Sequence, residues 1–381
     1  MKQMRYKLKN IFDLQMGKTP SRNNREYWDT NDNKWISIGD LSRTEKYVFD
    51  TKEYISNDAV KKSGIKIIPP NTVIMSFKLS IGKTAITAEN MYSNEAIMAF
   101  CDKNVVEMLP EYIFYMFQNR NWDNGSNKAV MGKTLNKATL SEIEVEIPGI
   151  ERQSEIVERL NMARSILNKR KQELQSLDDL IKARFVEMFG DCNNMISMSE
   201  ICSIITDGTH QPPKFQETGI PFIFVSNLAN NTVTYNAEKF ISKETYNELY
   251  KRTPIEPGDL LLSTVGSYGH PAVVVEDTKF LFQRHIAYLK PKKEIINSFY
   301  LHSALLSSDC QRQIEEKVKG IAQKTLNLSE IRKIMIPVPN IEAQNVFVDF
   351  IYQVDKSKVA VQKALDETQL LFDSLMQEYF G

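Results

Sequence analysis

The residues that could do chemistry in this chain are few, and their spacing falls short of each familiar catalytic set. Glu315-Glu-Lys317 has the acid–x–lysine spacing of metal-dependent nucleases, but no acidic strand precedes it to complete the site, and a helix surface accounts for it more simply. Ile68-Pro-Pro-Asn71 lacks the amide or acid that would hold a target amine for methyl transfer. Asp207 and His210 could exchange a proton, yet an Asp-Gly turn is the simpler account. Cys101, Cys192, Cys202 and Cys310 show no CxxC spacing, and the four histidines complete no ligand set, so neither zinc nor a disulfide framework is expected. Gly-rich phosphate loops and helicase motifs do not occur.

What remains is binding chemistry. Several segments combine glycine, which lets a backbone approach closely, with amide, hydroxyl or guanidinium side chains that can bond base edges or phosphates. In the first half these are Lys18, Thr19, Ser21, Arg22, Asn23, Asn24 and Arg25, then Lys78, Ser80 and Lys83 around Gly82, then Lys133, Thr134 and Asn136 in the Gly132–Lys137 loop. In the second half they are Thr209, His210, Gln211 and Lys214, then Ser267 and Tyr268 between glycines, then Gln283, Arg284 and His285, then Gln323 and Lys324 in the Gly320–Thr325 loop. The same residue types populate solvated turns, and that reading stands beside the nucleic-acid one.

The net charge counts mildly against such a partner, since phosphate contacts usually demand a basic surface, but its distribution matters more than its sum. Lys plus Arg and Asp plus Glu both number 48, giving zero net charge. The distribution is uneven: residues 1–35 carry eight basic against four acidic side chains, residues 119–137 four against one, and residues 341–381 three against seven. Hydrophobic residues at 42% and charged residues at 25% fit a soluble globular chain of 381 residues with two or three domains. No run approaches the roughly 20 apolar residues of a membrane span, and Met1–Asn10 lacks a secretory apolar core, so a cytoplasmic protein without a membrane partner is expected.

The elements that must position these loops come in duplicate. Leu180-Ile-Lys-Ala-Arg-Phe-Val-Glu-Met-Phe-Gly190 returns 191 residues later as Leu371-Phe-Asp-Ser-Leu-Met-Gln-Glu-Tyr-Phe-Gly381. Leu140-Ser-Glu-Ile143 returns as Leu328-Ser-Glu-Ile331, Ile147-Pro148 as Ile336-Pro337, Glu151-Arg-Gln153 as Glu342-Ala-Gln344, and Tyr54-Ile-Ser56 as Phe240-Ile-Ser242. Such ordered matches mark a duplication. Each half has a variable, mixed and strand-rich region of about 140 residues, followed by one long helical pattern. Strand-like runs stand at 34–38, 72–77, 221–225 and 259–263, and short amphipathic helices at 110–119 and 297–307. The implied fold is α/β (α+β): domain 1 over 1–147, a long helix over 148–190, domain 2 over 191–337 and a second long helix over 338–381.

Apolar positions in the long helices follow a 4–3 spacing. Ile156, Leu160, Leu167, Leu174, Leu177 and Ile181 form one stripe, and Phe347, Ile351, Val354, Val361, Leu365 and Phe372 the other, interrupted by Arg170, Arg184 and Lys358. A narrow stripe kept over five heptads is a coiled-coil seam. Internal two-fold symmetry makes the helices each other's antiparallel partners, as a strut of ~57 Å at 1.5 Å per residue. Gly190 and Gly381 stand where a C-terminal capping glycine belongs.

In that order, variable domain, Leu-Ser-Glu-Ile, Ile-Pro, Glu-x-Gln and long helix, twice over, the chain resembles the specificity subunit of type I restriction-modification enzymes. Asp207-Gly-Thr-His-Gln-Pro-Pro213 and Ser263-Thr-Val-Gly-Ser-Tyr-Gly269 carry the resemblance in the second half; Gln15-Met-Gly-Lys-Thr-Pro-Ser21 and Ser76-Phe-Lys-Leu-Ser-Ile-Gly82 depart from it in the first. The resemblance implies a non-catalytic reader of a bipartite, asymmetric double-stranded DNA target, one half-site per domain. It implies that the helices carry two modification (methyltransferase) subunits and, through them, restriction subunits, with S-adenosylmethionine, Mg²⁺ and ATP in those partners and no cofactor in this chain. A free-standing methyltransferase or nuclease, or a coiled-coil scaffold, are the alternatives.

Overall fold

Each half of the chain opens and closes on the same two-stranded ribbon. In the first half Met4–Lys7 pairs antiparallel with Glu144–Ile147, Met4 facing Ile147; in the second, Met195–Ser197 pairs with Met335–Pro337. The computed structural model describes residues 4–78, 80–122, 127–129, 132–320 and 324–381, the segments 127–129 and 132–134 by backbone alone. Contacts divide it into two units, Met1–Arg170 with Ala364–Gly381, and Lys171–Lys363.

In the first unit the turn Leu8–Ile11 leads into a five-stranded sheet in the order Phe12–Met16, Ile97–Asp102, Val73–Ser76, Thr84–Thr87, Tyr47–Val48. A smaller sheet sets Asn33–Ile36 between Glu53–Ile55 and Tyr92–Ser93. The second unit repeats the smaller sheet, with Ile220–Ile223 between Lys239–Ile241 and Leu281–Phe282, and the first four strands of the larger one, as Cys202–Asp207, Ile286–Pro291, Leu260–Ser263 and Pro271–Val273. The mixed α/β architecture expected from the sequence is present in both halves.

Local chemistry explains the repeated signatures. Tyr54-Ile-Ser56 and Phe240-Ile-Ser242 each end a strand and start a helix, because Ser56 accepts from the N–H of Ala59 and Ser242 from that of Thr245. Pro110 opens the helix Pro110–Asn119, where its missing N–H costs nothing, and Tyr112 to Phe117 fill the first core with Phe12, Phe100 and Trp122. In the second unit Ser298–Leu306 has the same place, followed by a further helix, Ser308–Lys317, that the apolar pattern does not announce.

The long helices run Ile150–Phe189 and Ile341–Phe380, 40 residues each, and each contributes one end to each unit. Within the first unit Arg159 donates to the Tyr379 hydroxyl at 3.2 Å, and the Arg164 guanidinium lies 5.5 Å from the Phe372 ring centroid. Within the second, Asp178 pairs with Lys358 at 2.6 Å, and the Phe189 and Phe347 rings stand 5.5 Å apart. Numbers rise along one helix as they fall along the other, so the helices run antiparallel in both units. On the stripes Ile156, Leu160, Leu167, Phe347, Ile351, Val354 and Val361 are buried, while Leu174, Leu177, Ile181, Leu365 and Phe372 are half-buried. Lys358, an interruption in the apolar pattern, is answered by Asp178.

Gly190 and Gly381 follow directly on the last helical residues, where the sequence puts them, but by another geometry than the capping glycine's. Gly190 does not adopt the left-handed capping conformation: its N–H continues the helical ladder to Val186 O at 2.8 Å, and Gly381 does the same to Gln377 O at 2.9 Å. Space rather than φ requires glycine at 190, since a Cβ there would lie 2.6 Å from the Val186 carbonyl oxygen.

Candidate nucleic-acid interface

In each domain, segments far apart in sequence are laced side by side by main-chain bonds. The strand ending at Met16 passes into Gly17, whose N–H donates to Ile97 O (3.1 Å), and Lys18 N–H donates to Ser93 O (2.9 Å). In the second domain Gly208 donates to Ile286 O (3.2 Å) and Thr209 to Phe282 O (3.1 Å). A Cβ at Gly17 would meet Ser93 O at 2.2 Å, and one at Gly208 would meet Phe282 O at 2.2 Å, so only glycine permits the approach.

The next loops match equally well. Ser76 takes the N–H of Gly82 on its carbonyl (2.9 Å) and that of Lys83 on its hydroxyl (3.1 Å); Ser263 takes Gly269 (2.9 Å) and His270 (3.0 Å) in the same way. Phe77 N–H reaches Ala96 O and Leu135 N–H reaches Phe77 O, just as Thr264 reaches His285 and Leu326 reaches Thr264. Four segments per domain, 15–21, 76–78 with 80–83, 94–96 and 132–136 in the first, 206–212, 263–270, 283–285 and 319–320 with 324–327 in the second, therefore share one backbone frame. Onto it the two halves place unlike side chains.

In the first domain several candidates have local structural partners. Lys18 donates to Ser63 O (3.0 Å) at the end of helix Asn57–Ser63, Ser21 O accepts the Trp28 indole N–H (3.1 Å), and Ser80 O accepts from the Ser76 hydroxyl (2.6 Å). Asn24 caps Arg25–Tyr27 through Glu26 N–H (3.2 Å), and Asn136 caps Lys137–Glu142 through Thr139 N–H (2.8 Å). Thr19 donates to the Glu95 carboxylate. Arg22 meets Glu53 with both terminal nitrogens and covers the Trp28 ring at 3.6 Å. Asn23 and Arg25 are exposed, Lys78 is half-buried beside the Phe77 ring, and Lys83 donates to the Ser42 hydroxyl (2.6 Å). Lys133 and Thr134 belong to a short hairpin, Asn127–Ala129 with Gly132–Thr134, where the sequence suggests a loop; their side chains lie outside the described residues.

In the second domain Thr209 donates to Phe282 O (3.2 Å), and Gln283 N–H to Ile223 O (3.2 Å). Asp207 holds His210 on one oxygen and Arg252 on the other, both at 2.8 Å. Tyr268, Glu315 and Lys324 form a triad, with Lys324 2.7 Å from the carboxylate and 3.2 Å from the tyrosine oxygen. Gln211, Lys214, Ser267 and Arg284 are exposed. Burial, with Arg284 beside it, pushes the His285 pKa down, leaving a neutral imidazole whose Nε2 accepts from Arg284 Nε at 3.4 Å. Gln323 lies outside the described residues.

Two classes of cation emerge. Arg25, Lys78, Lys83, Lys214 and Arg284 form no ion pair among the described residues, whereas Arg22, His210, Arg252 and Lys324 face acids of their own domain. Sequence reading overlooked the acids Glu53 and Glu95 and the base Arg252, because nothing in linear spacing says which side chains a fold brings together. Asn94–Ala96 was within reach: it stands 189 residues before Gln283–His285.

The catalytic look-alikes dissolve into structure. Glu315 projects from helix Ser308–Lys317 into the Tyr268–Lys324 triad, and Asn71 sits at φ 57° in a turn, donating to Thr87 O at 2.7 Å. Among the described residues no group of three or more His, Cys, Asp or Glu is placed to hold a metal ion, and no helix is long and apolar enough to cross a membrane.

Comparison with known proteins agrees with this geometry. The chain is 22% identical over 398 residues to the type I restriction enzyme MjaIX specificity subunit of Methanocaldococcus jannaschii, covering 97% of this chain and 90% of the relative. It is 31% identical over 177 residues to the EcoBI specificity subunit of Escherichia coli, covering 45% of this chain and 37% of that one. Its fold is similar to a chain solved in work on assembly and conformational transition of the type I R-M system (TM-score 0.62, 16% identity, 99% and 97% covered). It is also similar to the S subunit from M. genitalium (TM-score 0.53, 13% identity, 100% and 96% covered). With the model of the type I restriction modification DNA specificity domain matching twice, over residues 2–176 and 193–368, the chain belongs to that family and carries two copies of its domain.

Proposed function

We propose that this chain is the DNA-specificity subunit of a type I restriction-modification system, reading a split, asymmetric target with one half-site per domain. The observation that supports it is the pair of matching backbone frames carrying unlike loop chemistry: Lys18, Thr19 and Arg22 follow Gly17 where Thr209, His210 and Gln211 follow Gly208. Two copies of one frame bind DNA in one manner, while different side chains select different bases. The unpaired cations in both sets suit phosphate contacts.

The long helices carry two methyltransferase subunits and, through them, restriction subunits. S-adenosylmethionine, Mg²⁺ and ATP are then the partners' cofactors, and this chain selects the DNA on which they act. Methylome sequencing with the gene present and absent tests the reading: a methylated split motif, dependent on the gene and on a methyltransferase partner, is expected. Cleavage or methyl transfer by the purified chain alone, given DNA, Mg²⁺ and S-adenosylmethionine, would instead favour a free-standing enzyme. Absence of salt-sensitive, sequence-selective binding by the complex would favour a scaffold.

A further inference from the structure

We propose that Arg22 reads a guanine in the first half-site, and that Glu53 occupies its fork until DNA takes the carboxylate's place. The inference rests on the specificity-subunit reading and adds to it one residue, one base and one internal competitor.

Arg22 is fixed on its face and on its edge. Its guanidinium carbon lies 3.6 Å from the Trp28 ring centroid, and both terminal nitrogens meet Glu53, Nη2 at 3.1 Å from Oε2. The platform beneath is itself held. Trp28 donates its indole N–H to Ser21 O (3.1 Å) and stands edge-on to Trp35 at 4.9 Å; Trp35 is 1% exposed and donates to Lys18 O (3.0 Å). Two indoles thus strap the segment Lys18–Ser21 to the domain, and Arg22 emerges directly after it. That segment follows Gly17, in the frame shared with the second domain.

The carboxylate presents two acceptor oxygens in a plane to two parallel N–H donors. The major-groove edge of guanine presents the same pattern with O6 and N7, the pair that arginine reads bidentately. Glu53 therefore mimics the base edge. Arg22 and Glu53 keep 48% and 35% of their side-chain surface exposed, so the pair is open to exchange. Such an exposed pair is worth at most about fivefold in equilibrium, whereas a bidentate arginine–guanine contact discriminates by roughly 5- to 150-fold. The exchange runs toward DNA only when a guanine is at that place.

The test uses the full-length chain with its methyltransferase partner on a pool of duplexes in which each position of both half-sites is varied. Arg22→Ala and Arg22→Lys are expected to relax one guanine position of the first half-site by roughly 5- to 150-fold, leaving the second half-site unchanged as the internal check of folding. If Arg22→Ala abolishes methylation altogether, Arg22→Lys decides, since it keeps the charge and loses the fork. Glu53→Gln is expected to tighten binding severalfold with the motif retained. An unaltered motif in the Arg22 variants, or a Glu53→Gln variant that binds more weakly or reads a looser motif, overturns the proposal. Failure of the wild-type complex to methylate any split motif would instead remove the specificity reading beneath it.

Discussion

The side-chain oxygen of Gln153 accepts the backbone N–H of Leu109 at 2.8 Å, tying the first turn of the central helix to the segment that opens helix Pro110–Asn119. The amide nitrogen donates to Glu107 O (2.9 Å) and Pro148 O (2.8 Å), and the residue is 0% exposed. Gln344 repeats the arrangement with Asn297 N–H (2.8 Å), Ile295 O (3.1 Å) and Pro339 O (2.9 Å). The recurring Glu-x-Gln is thus a latch between a domain and the helix that follows it. Gln153→Leu or Gln344→Leu removes the side-chain partner of three part-buried backbone groups at once, and a fully buried group so orphaned costs about 1–3 kcal/mol. Either variant is expected to lose at least about 2 kcal/mol in chemical denaturation, and losses under ~0.5 kcal/mol would show that the latch is ornamental.

Positions along the apolar stripes are buried to different depths. Leu160 is fully buried with Ile156, Tyr112, Tyr115 and Met376, and Phe347 is fully buried against Phe185 (5.6 Å), Phe189 and Tyr300. Leu174 and Leu177, near the middle of the same helix, are half-buried. Leu160→Ala should cost about 2–5 kcal/mol and Phe347→Ala about 3–5 kcal/mol, while Leu177→Ala should cost distinctly less. Equal losses at Leu160 and Leu177 in thermal and urea unfolding would contradict the burial pattern.

These stripes, the duplication and the short helix at Pro110 were legible because each is written in local periodicity or in residues with fixed backbone habits. Ser56 and Ser242 could be read as caps for the same reason. Helix Ser308–Lys317 was legible only at its end, where Glu315-Glu-Lys317 reads as a helix surface; its start was not, since Ser307 alone separates it from Leu306. The loop partners were the least legible. Arg22 and Glu53 lie 31 residues apart and Tyr268 and Glu315 47 apart, and only the packing of loops against a strand in one case and a helix in the other decides that they meet. The repeat could have supplied some of this, because a residue in one frame points to its counterpart in the other.

Acid should loosen the first ribbon through Glu142. Hydrogen bonds from Lys9 and Lys7 hold its carboxyl at about 2, against 4.5 unperturbed. A depressed carboxyl stabilises the folded form fully above pH 4.5, and that contribution disappears as pH falls toward 2. Glu142→Gln should therefore flatten stability over that window, most clearly at low salt because the side chain is 52% exposed. Identical acid-unfolding curves for the two proteins at low ionic strength would show that the pair contributes nothing.

Replacing residues 1–146 by the matching segment of another family member should change one half-site of the methylated motif and leave the other as it was. The prediction follows from the separate frames: each set of four segments closes on itself by main-chain bonds within its own unit. Methylome sequencing of the hybrid reads both half-sites at once. A motif altered in both halves would mean that the domains do not read independently.

Helix length should set the number of unread base pairs between the half-sites. Removing seven residues from each long helix shortens it by ~10.5 Å at 1.5 Å per residue, close to three base-pair steps of ~3.4 Å. Seven residues also keep the 4–3 stripe in phase, so Leu160 and Phe347 stay buried. Deleting four residues instead turns the remaining stripe away from its partner and should destabilise the chain. The seven-residue variant is expected to methylate the same half-sites with a spacer about three base pairs shorter. Methylation kept at the original spacing would refute the helices as the measure of that gap.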